Sequence, residues 1–255
     1  MGTIAGSKKL KRQMAPTFWG ITRKNKRFII TVMPGTHPKN RSIPTAVLLR
    51  DTLKIVTSLR EAKSVIYSGK IKVDGVVRKS LHYSIGLMDV IELEGTSEVY
   101  RLVPAHGHIL KPIKINITEK SKKLVKIVSK TTIKGKKTQL GFHDGRTLIT
   151  DTNAHVGDTC LIQIPELKVL DVIKLEKNSQ VIVTGGANVG HIGRIDNINN
   201  GTFVLPKMLE LILDNKTIKI SIDLVMVIGK EKPALQIGWY YVSRNSKYDE
   251  KDFSQ

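Results

Sequence analysis

The sequence predicts an α+β protein, multidomain and mostly β, from three observations. Proline and glycine interrupt the first 50 residues too often for long periodic segments to form. Helical spacing of apolar residues is confined to residues 43–68. From residue 70 onward, short β-branched runs alternate with Gly, Asn and Asp turn signals. A length of 255 residues suits one large domain or two to four small ones. The apolar fraction of 40% is enough for real cores.

Residues 1–42 read as a basic N-terminal arm, extended until it orders on a partner. Lys8, Lys9, Lys11, Arg12, Arg23, Lys24, Lys26, Arg27, Lys39 and Arg41 meet no acid there, since the first carboxylate is Asp51. Phe18, Trp19 and Phe28 sit among these cations. A merely solubilising tail does not need aromatics, so they either stack on bases or pin the arm to the body.

Residues 43–106 form a second unit. Leu49, Leu53 and Val56 follow helical spacing, as do Leu59, Ala62 and Ile66, which predicts two short helices. Ser58-Leu59-Arg60-Glu61 is a capping box, so the second helix starts there. Arg50 and Lys54 share a helix face, as do Arg60 and Lys63. Gly69 ends the helix. Asp74-Gly75 between β-branched residues predicts a tight hairpin. Ile71 and Val73 then face a core, while Lys70 and Lys72 face out and Arg78 and Lys79 lie at the far end. Residues 89–93 and 99–102 are further strands.

Residues 107–177 are expected to be a central β domain, with strands at 124–127, 130–133, 138–142, 147–149, 160–164 and 169–174. Residues 111–137 hold ten lysines and one acid, Glu119. Alternating lysines on strands are often only the wet face of a sheet. The local excess instead favours a phosphate-facing surface. Residues 178–229 carry five short strands in about fifty residues, which suggests a small barrel. Residues 230–255 read as a polar, loose tail.

The formal charge of +20 carries the functional argument. Such an excess repels itself unless a polyanion neutralises it. No apolar run approaches the roughly 18–20 residues of a spanning helix, and no apolar stretch follows the first basic residues as a signal peptide requires. Cytoplasmic nucleic acid is the expected partner. The single Cys160 makes neither an internal disulfide nor a zinc cluster. Gly185 to Gly190 has the spacing of a phosphate loop, but His191-Ile192 stands where Lys and Ser/Thr are needed. Its bland reading is a glycine-shaped turn. Its functional reading adds bare N–H groups that an RNA phosphate approaches closely, with Asn188 and Arg194 nearby. The seven histidines are dispersed, and no catalytic or metal-binding set stands out. No cofactor and no small-molecule substrate are expected.

Many short stretches resemble one family in one order. They are Leu10-Lys11-Arg12, Ala15-Pro16, Trp19, Arg41-Ser42-Ile43-Pro44, Gly69 to Gly75 with Val77-Arg78, and Gly86 to Ile91. His143-Asp144-Gly145-Arg146 and Val183 to Gly190 complete the set. The sequence resembles the archaeal and eukaryotic small-subunit ribosomal protein S-four-e family, and its length and ending look archaeal. The resemblance implies an arm, an S-four-type RNA-binding module of two helices plus hairpin, a central β domain and a KOW-containing SH3-like barrel. It implies a structural, rRNA-binding ribonucleoprotein component with neighbouring small-subunit proteins as partners. The expected contacts are Lys8, Lys9, Lys11, Arg12, Arg23, Lys24, Arg27 and Arg41 on phosphates, with Trp19 against sugar or base. Arg50, Arg60, Lys63, Lys70, Lys72, Arg78 and Lys79 are expected on the module, and Gly185, Gly186, Asn188, Gly190 and Arg194 on the barrel. Two other readings remain at this point: an rRNA-modifying enzyme targeted by the same module, and an elongation or translation factor using the barrel.

Overall fold

A computed structural model describes residues 10–96, 98–105, 108–150, 152–203, 206–213 and 216–237. Lys8, Lys9 and most of the expected tail lie outside these residues.

The arm is not extended where it is described. Strands β1 (Leu10–Lys11) and β2 (Phe28–Ile29) pair antiparallel. Leu10, Ala15, Trp19, Ile29 and Val32 pack into the same core as residues 43–110. The indole of Trp19 is 1% exposed, and its Nε1–H donates to the Ser42 carbonyl at 2.8 Å. Burying an aromatic of that size with its N–H paired fixes the segment against residues 43–110.

The second unit contains β3 (Ile43–Pro44), a helical turn α1 (Thr45–Val47) and helix α2 (Leu59–Tyr67). The first expected helix is shorter than its periodicity suggests. It widens over Leu48–Thr52, where the Leu53 N–H bonds back five residues to the Leu48 carbonyl at 2.8 Å. The capping box forms as expected: Ser58 Oγ accepts from the Glu61 N–H at 3.2 Å. The Glu61 carboxylate accepts from the Thr57 N–H at 3.0 Å. That bond, followed by those from the Ser58 and Thr57 hydroxyls, holds its pKa below the ordinary value.

Strands β4 (Ile71–Val73) and β5 (Val76–Val77) form the hairpin. Asp74 has φ 52° and Gly75 φ 75°, so both turn positions need the left-handed region, as a primed turn requires. β6 (Ser84–Ile85) pairs with β3. β7 (Val90–Leu93), β8 (Val99–Ala105) and β9 (His108–Ile115) complete an antiparallel sheet of order β5-β4-β7-β8-β9. The boundary expected between residues 106 and 107 is therefore corrected. Residues 108–115 pair with β8 and belong to the preceding sheet.

The central sheet has the order β12-β11-β10-β13-β14. Its strands are β10 (Lys122–Thr132), β11 (Thr138–Phe142), β12 (Thr147–Ile149), β13 (Thr159–Gln163) and β14 (Lys168–Ile173). The two strands expected at 124–127 and 130–133 are one strand with a bulge between Ile127 and Ser129. A bulge inserts one residue without ending the ladder, so the sequence pattern breaks where the strand does not. The last unit has β15 (Gln180–Val183), β16 (Ile192–Asn199), β17 (Met208–Leu213), β18 (Lys216–Ser221) and β19 (Val225–Gly229). They form an antiparallel sheet of order β18-β17-β16-β15-β19. Of the short strands expected within residues 178–229, the one at 203–205 is not found at Phe203, and 204–205 lie outside the described residues. The remaining strand expectations hold to within about three residues, the largest difference being the end of β8.

The cores cross the unit boundaries. Leu124 of β10 packs with Val181, Ile195 and Met226 of the last unit, together with Met88 and Val103. Val90, Val99 and Ile115 pack with Val125, Leu140 and Cys160 of the central sheet. Arg101, 0% exposed, donates to the Glu119 carboxylate at 3.2 Å and to the carbonyls of Lys122 at 3.0 Å and Gln236 at 3.1 Å. A single guanidinium thus ties β8 to the start of the central sheet and to the chain near its described end.

Candidate nucleic-acid interface

Three of the sequence stretches that carry the family resemblance converge on one buried ionic cluster. Lys123 on β10 is 0% exposed. Its Nζ lies 2.8 Å from Asp74, 2.6 Å from Asp89 and 3.1 Å from Asp144. Arg146 reaches Asp74 at 2.8 Å. Asp89 also accepts from the Gly86 N–H at 2.8 Å, and its two oxygens lie 3.1 and 3.2 Å from His37 Nε2. The carboxylates of Asp89 and Asp144 are held below their ordinary pKa by Lys123 against the opposing effect of burial. His37 Nε2 therefore donates to an ionised partner. Isolated, any of these charges would be costly to bury; together they satisfy one another.

The cluster clamps the hairpin tip. Asp74 sits at the turn, its Oδ1 accepting from the Val90 N–H at 3.0 Å while Oδ2 faces Lys123 and Arg146. Gly75 stands against Pro165 of the central domain; an added Cβ would touch that ring at 3.4 Å. The tip is thus closed to a ligand, and the free part of the hairpin is its outer face and root. Lys70, Lys72 and Lys79 are exposed there. Gly69, which ends α2, lies beside the Lys79 stem. Arg60 and Lys63 are exposed on α2, with the Lys63 ammonium 5.6 Å from the Tyr67 ring centre. Arg78 is half-buried and stacks on Tyr83 at 4.7 Å. The helix end and the hairpin root therefore present one patch of cations with an aromatic among them.

Two expected contacts, Arg12 and Trp19, are buried instead, and others make contacts within the chain. Arg12 is buried, with Nε donating to the Lys26 carbonyl at 2.8 Å and Nη1 to the Thr22 carbonyl at 3.0 Å. Trp19 is inside the core, so of its two readings the pin stands and the stack against sugar or base does not. Arg50 is half-buried and paired with Asp51 at 2.7 Å. Arg23 is exposed but donates to the Gln13 carbonyl at 2.7 Å. Lys11, Lys24, Arg27 and Arg41 are exposed, and Arg27 lies 5.4 Å over Phe28. The lysine-rich stretch 111–137 is also corrected in part. Lys123 is inside the ionic cluster and Lys126 is half-buried, while Lys122, Lys130, Lys134, Lys136 and Lys137 are exposed.

The glycine segment after β15 is a closed loop. The Gly190 N–H donates to the Val183 carbonyl at 2.9 Å, and the Val183 N–H to the His191 carbonyl at 3.0 Å. Gly186 and Gly190 have φ of 86° and 84°, which only glycine adopts cheaply. No helix follows; β16 does, so the phosphate-loop reading stays excluded. Gly186 is exposed, Gly185, Asn188 and Gly190 are half-buried, and Arg194 is exposed on β16. Thr184, at the base of this loop, lines the same cleft as Arg41 of the arm, so the fold brings those two expected regions together.

Lys126 and the ionic cluster were not singled out from the sequence. One signal was present. Adjacent residues on a strand face opposite ways, so Lys122 and Lys123 cannot both face water on β10.

The comparisons with known proteins agree with this geometry. The model of the Ribosomal family S4e matches residues 96–169, and that of the RS4NT (NUC023) domain matches residues 5–40. The chain is 38% identical over 238 residues to the small ribosomal subunit protein eS4 of Methanothermobacter thermautotrophicus, covering 93% of this chain and 98% of that protein. It is 38% identical over 248 residues to the eS4 protein of Staphylothermus marinus, with the same coverage. The crystal structure of the 30S ribosomal protein S4e from Thermoplasma acidophilum superposes with a TM-score of 0.66 at 32% identity, covering 75% of this chain and 97% of that one.

Proposed function

The chain belongs to the S4e family of ribosomal proteins, and from that premise we propose how its surface meets RNA. The protein is a structural constituent of the small ribosomal subunit, where it associates with rRNA and other ribosomal proteins. The rRNA-modifying reading finds no support in these relatives, and we read the chain as having no catalytic role.

The unit from β3 to β9 acts as an S-four-type module, and the unit from β15 to β19 as a KOW-containing SH3-like barrel. Arg60, Lys63, Lys70, Lys72 and Lys79 contact phosphates and 2′-hydroxyls of a folded junction, reading shape rather than sequence. Arg78, stacked on Tyr83, presents its guanidinium edge to the same surface. Lys11, Lys24, Arg27 and Arg41 extend the contact along the folded arm. Gly185, Gly186, Asn188 and Gly190 allow a phosphate close to the barrel loop, beside Arg194. The ribosome puts this protein in the cytoplasm.

The observation that carries this reading is the exposed cationic patch at the end of α2 and the root of the hairpin, whose tip the buried cluster clamps. Co-sedimentation tests it. An integral subunit stays with ribosomal particles washed in high salt, whereas a factor that borrows the barrel is released. Replacing Lys70, Lys72 and Lys79 together by alanine is expected to release the protein in that wash. Retention of the triple variant at the wild-type level would place the RNA surface elsewhere.

A further inference from the structure

A cleft of about 920 Å³ opens where arm residues 32–41, strands β10 and β11 and the last unit meet. Its walls include Met33, Val128, Val156, Ile222 and Met226, and the first three are about half exposed. Its charged side chains are Lys39 and Arg41 from the arm, Lys126 from β10 and Asp223 from the turn before β19. His37 and His143 also line it. His143 is held down to about 4 by burial and by Lys123, so it is neutral at pH 7. Three cations thus face one carboxylate between apolar walls, an arrangement that concentrates positive potential.

Lys126 is the unusual member. It is half-buried, and its Nζ donates to the Ile222 carbonyl at 2.5 Å. Burial pushes its pKa down to about 8; Asp223 opposes the shift and Arg41 adds to it. Among the described residues this ammonium has no carboxylate in ion-pair contact, and a bound anion would supply a partner.

We propose that this cleft receives one phosphodiester of the rRNA backbone, with Lys126 contacting it from inside and Arg41 and Lys39 from the rim. The inference rests on the rRNA-binding reading above and adds a place where arm, central sheet and barrel grip one phosphate. The arm favours RNA over an acidic peptide. Lys39 and Arg41 belong to a run of 50 residues containing no Asp or Glu, which a continuous polyanion matches along its length.

The test is a binding titration of the full chain with transcribed small-subunit rRNA of Staphylothermus marinus at pH 7, 8 and 9. A lysine at about 8 when free and held protonated when bound loses about tenfold in affinity from pH 7 to pH 9. Lys126→Arg keeps the charge and abolishes that loss. Arg41→Gln, on the exposed rim, weakens binding and moves the midpoint slightly to higher pH, because it removes a cation that adds to the effect of burial on Lys126. The rRNA also shields Lys126 from amine-reactive labelling. Equal pH dependence in the wild type and in Lys126→Arg, with Lys126 still labelled in the complex, would overturn the proposal. So would shielding by a small-subunit protein and not by RNA. Absence of any rRNA binding at low salt would be a different result, because it removes the premise itself.

Discussion

At the scale of single residues, Lys123 is the side chain on which most others depend. Removing it leaves Asp74, Asp89 and Asp144 facing one another with only Arg146 and His37 to compensate. Lys123→Met is expected to cost about 3–5 kcal/mol, read from the denaturant midpoint. The exposed neighbour Lys122→Met should change stability by no more than about 0.5 kcal/mol. Equal effects would show that the cluster does not hold the fold. The same cluster sets a pH dependence. His143 titrates near 4 in the folded protein and near its ordinary 6.5 when unfolded. The unfolded chain therefore binds a proton between those values that the folded one refuses, and stability falls as pH drops through that window. The slope is at most about 1.4 kcal/mol per pH unit for one proton. The depressed carboxylates of Asp89 and Asp144 add their loss only below about pH 4, where the unfolded aspartates protonate. His143→Gln should flatten the upper part of the curve and leave the lower part; an unchanged upper slope would refute the assignment.

At the scale of elements, the hairpin shows what the sequence makes legible and what it hides. Asp74-Gly75 announces its turn, because only certain residues take positive φ. Gly75→Ala is accordingly expected to destabilise by about 1–2 kcal/mol in thermal or denaturant unfolding, since its φ is 75°. A neutral Gly75→Ala would mean that the turn relaxes to another type. The capping box at Ser58 was equally readable, because its four residues are contiguous. That the Asp74 carboxylate docks on Lys123 was not readable: the partners are 49 residues apart, and turn propensity alone accounts for an aspartate there. Nor did a basic arm declare itself folded. Charge and breakers suggested extension, while the decisive contacts, Trp19 to Ser42 and Arg12 to Thr22 and Lys26, run through backbone carbonyls that leave no sequence signature. Strand β9 was assigned to the wrong unit for a related reason, since a β-rich run does not say which neighbour it pairs with.

At the scale of the whole molecule, the charge of +20 is distributed over a body whose cores interlock. Leu124 belongs to the central sheet and packs in the core of the last unit, and Val90 belongs to the second unit and packs in the core of the central sheet. The cations on the arm, the second unit and the last unit are therefore held at fixed separations, which suits a rigid folded RNA more than a flexible strand. The candidate interface was legible from composition as a class of partner, but not residue by residue. Of the expected contacts, Arg12 and Trp19 are buried in the fold, and Lys126 was missed because burial cannot be read from a lysine's letter. The measurement that tests the account most directly is the affinity of the purified chain for structured small-subunit rRNA between 50 and 200 mM salt. For roughly six to ten phosphate contacts, affinity is expected to fall by about 10³ to 10⁵ over that range. An affinity that stays constant across the same range, or no binding at the lower salt, would contradict it.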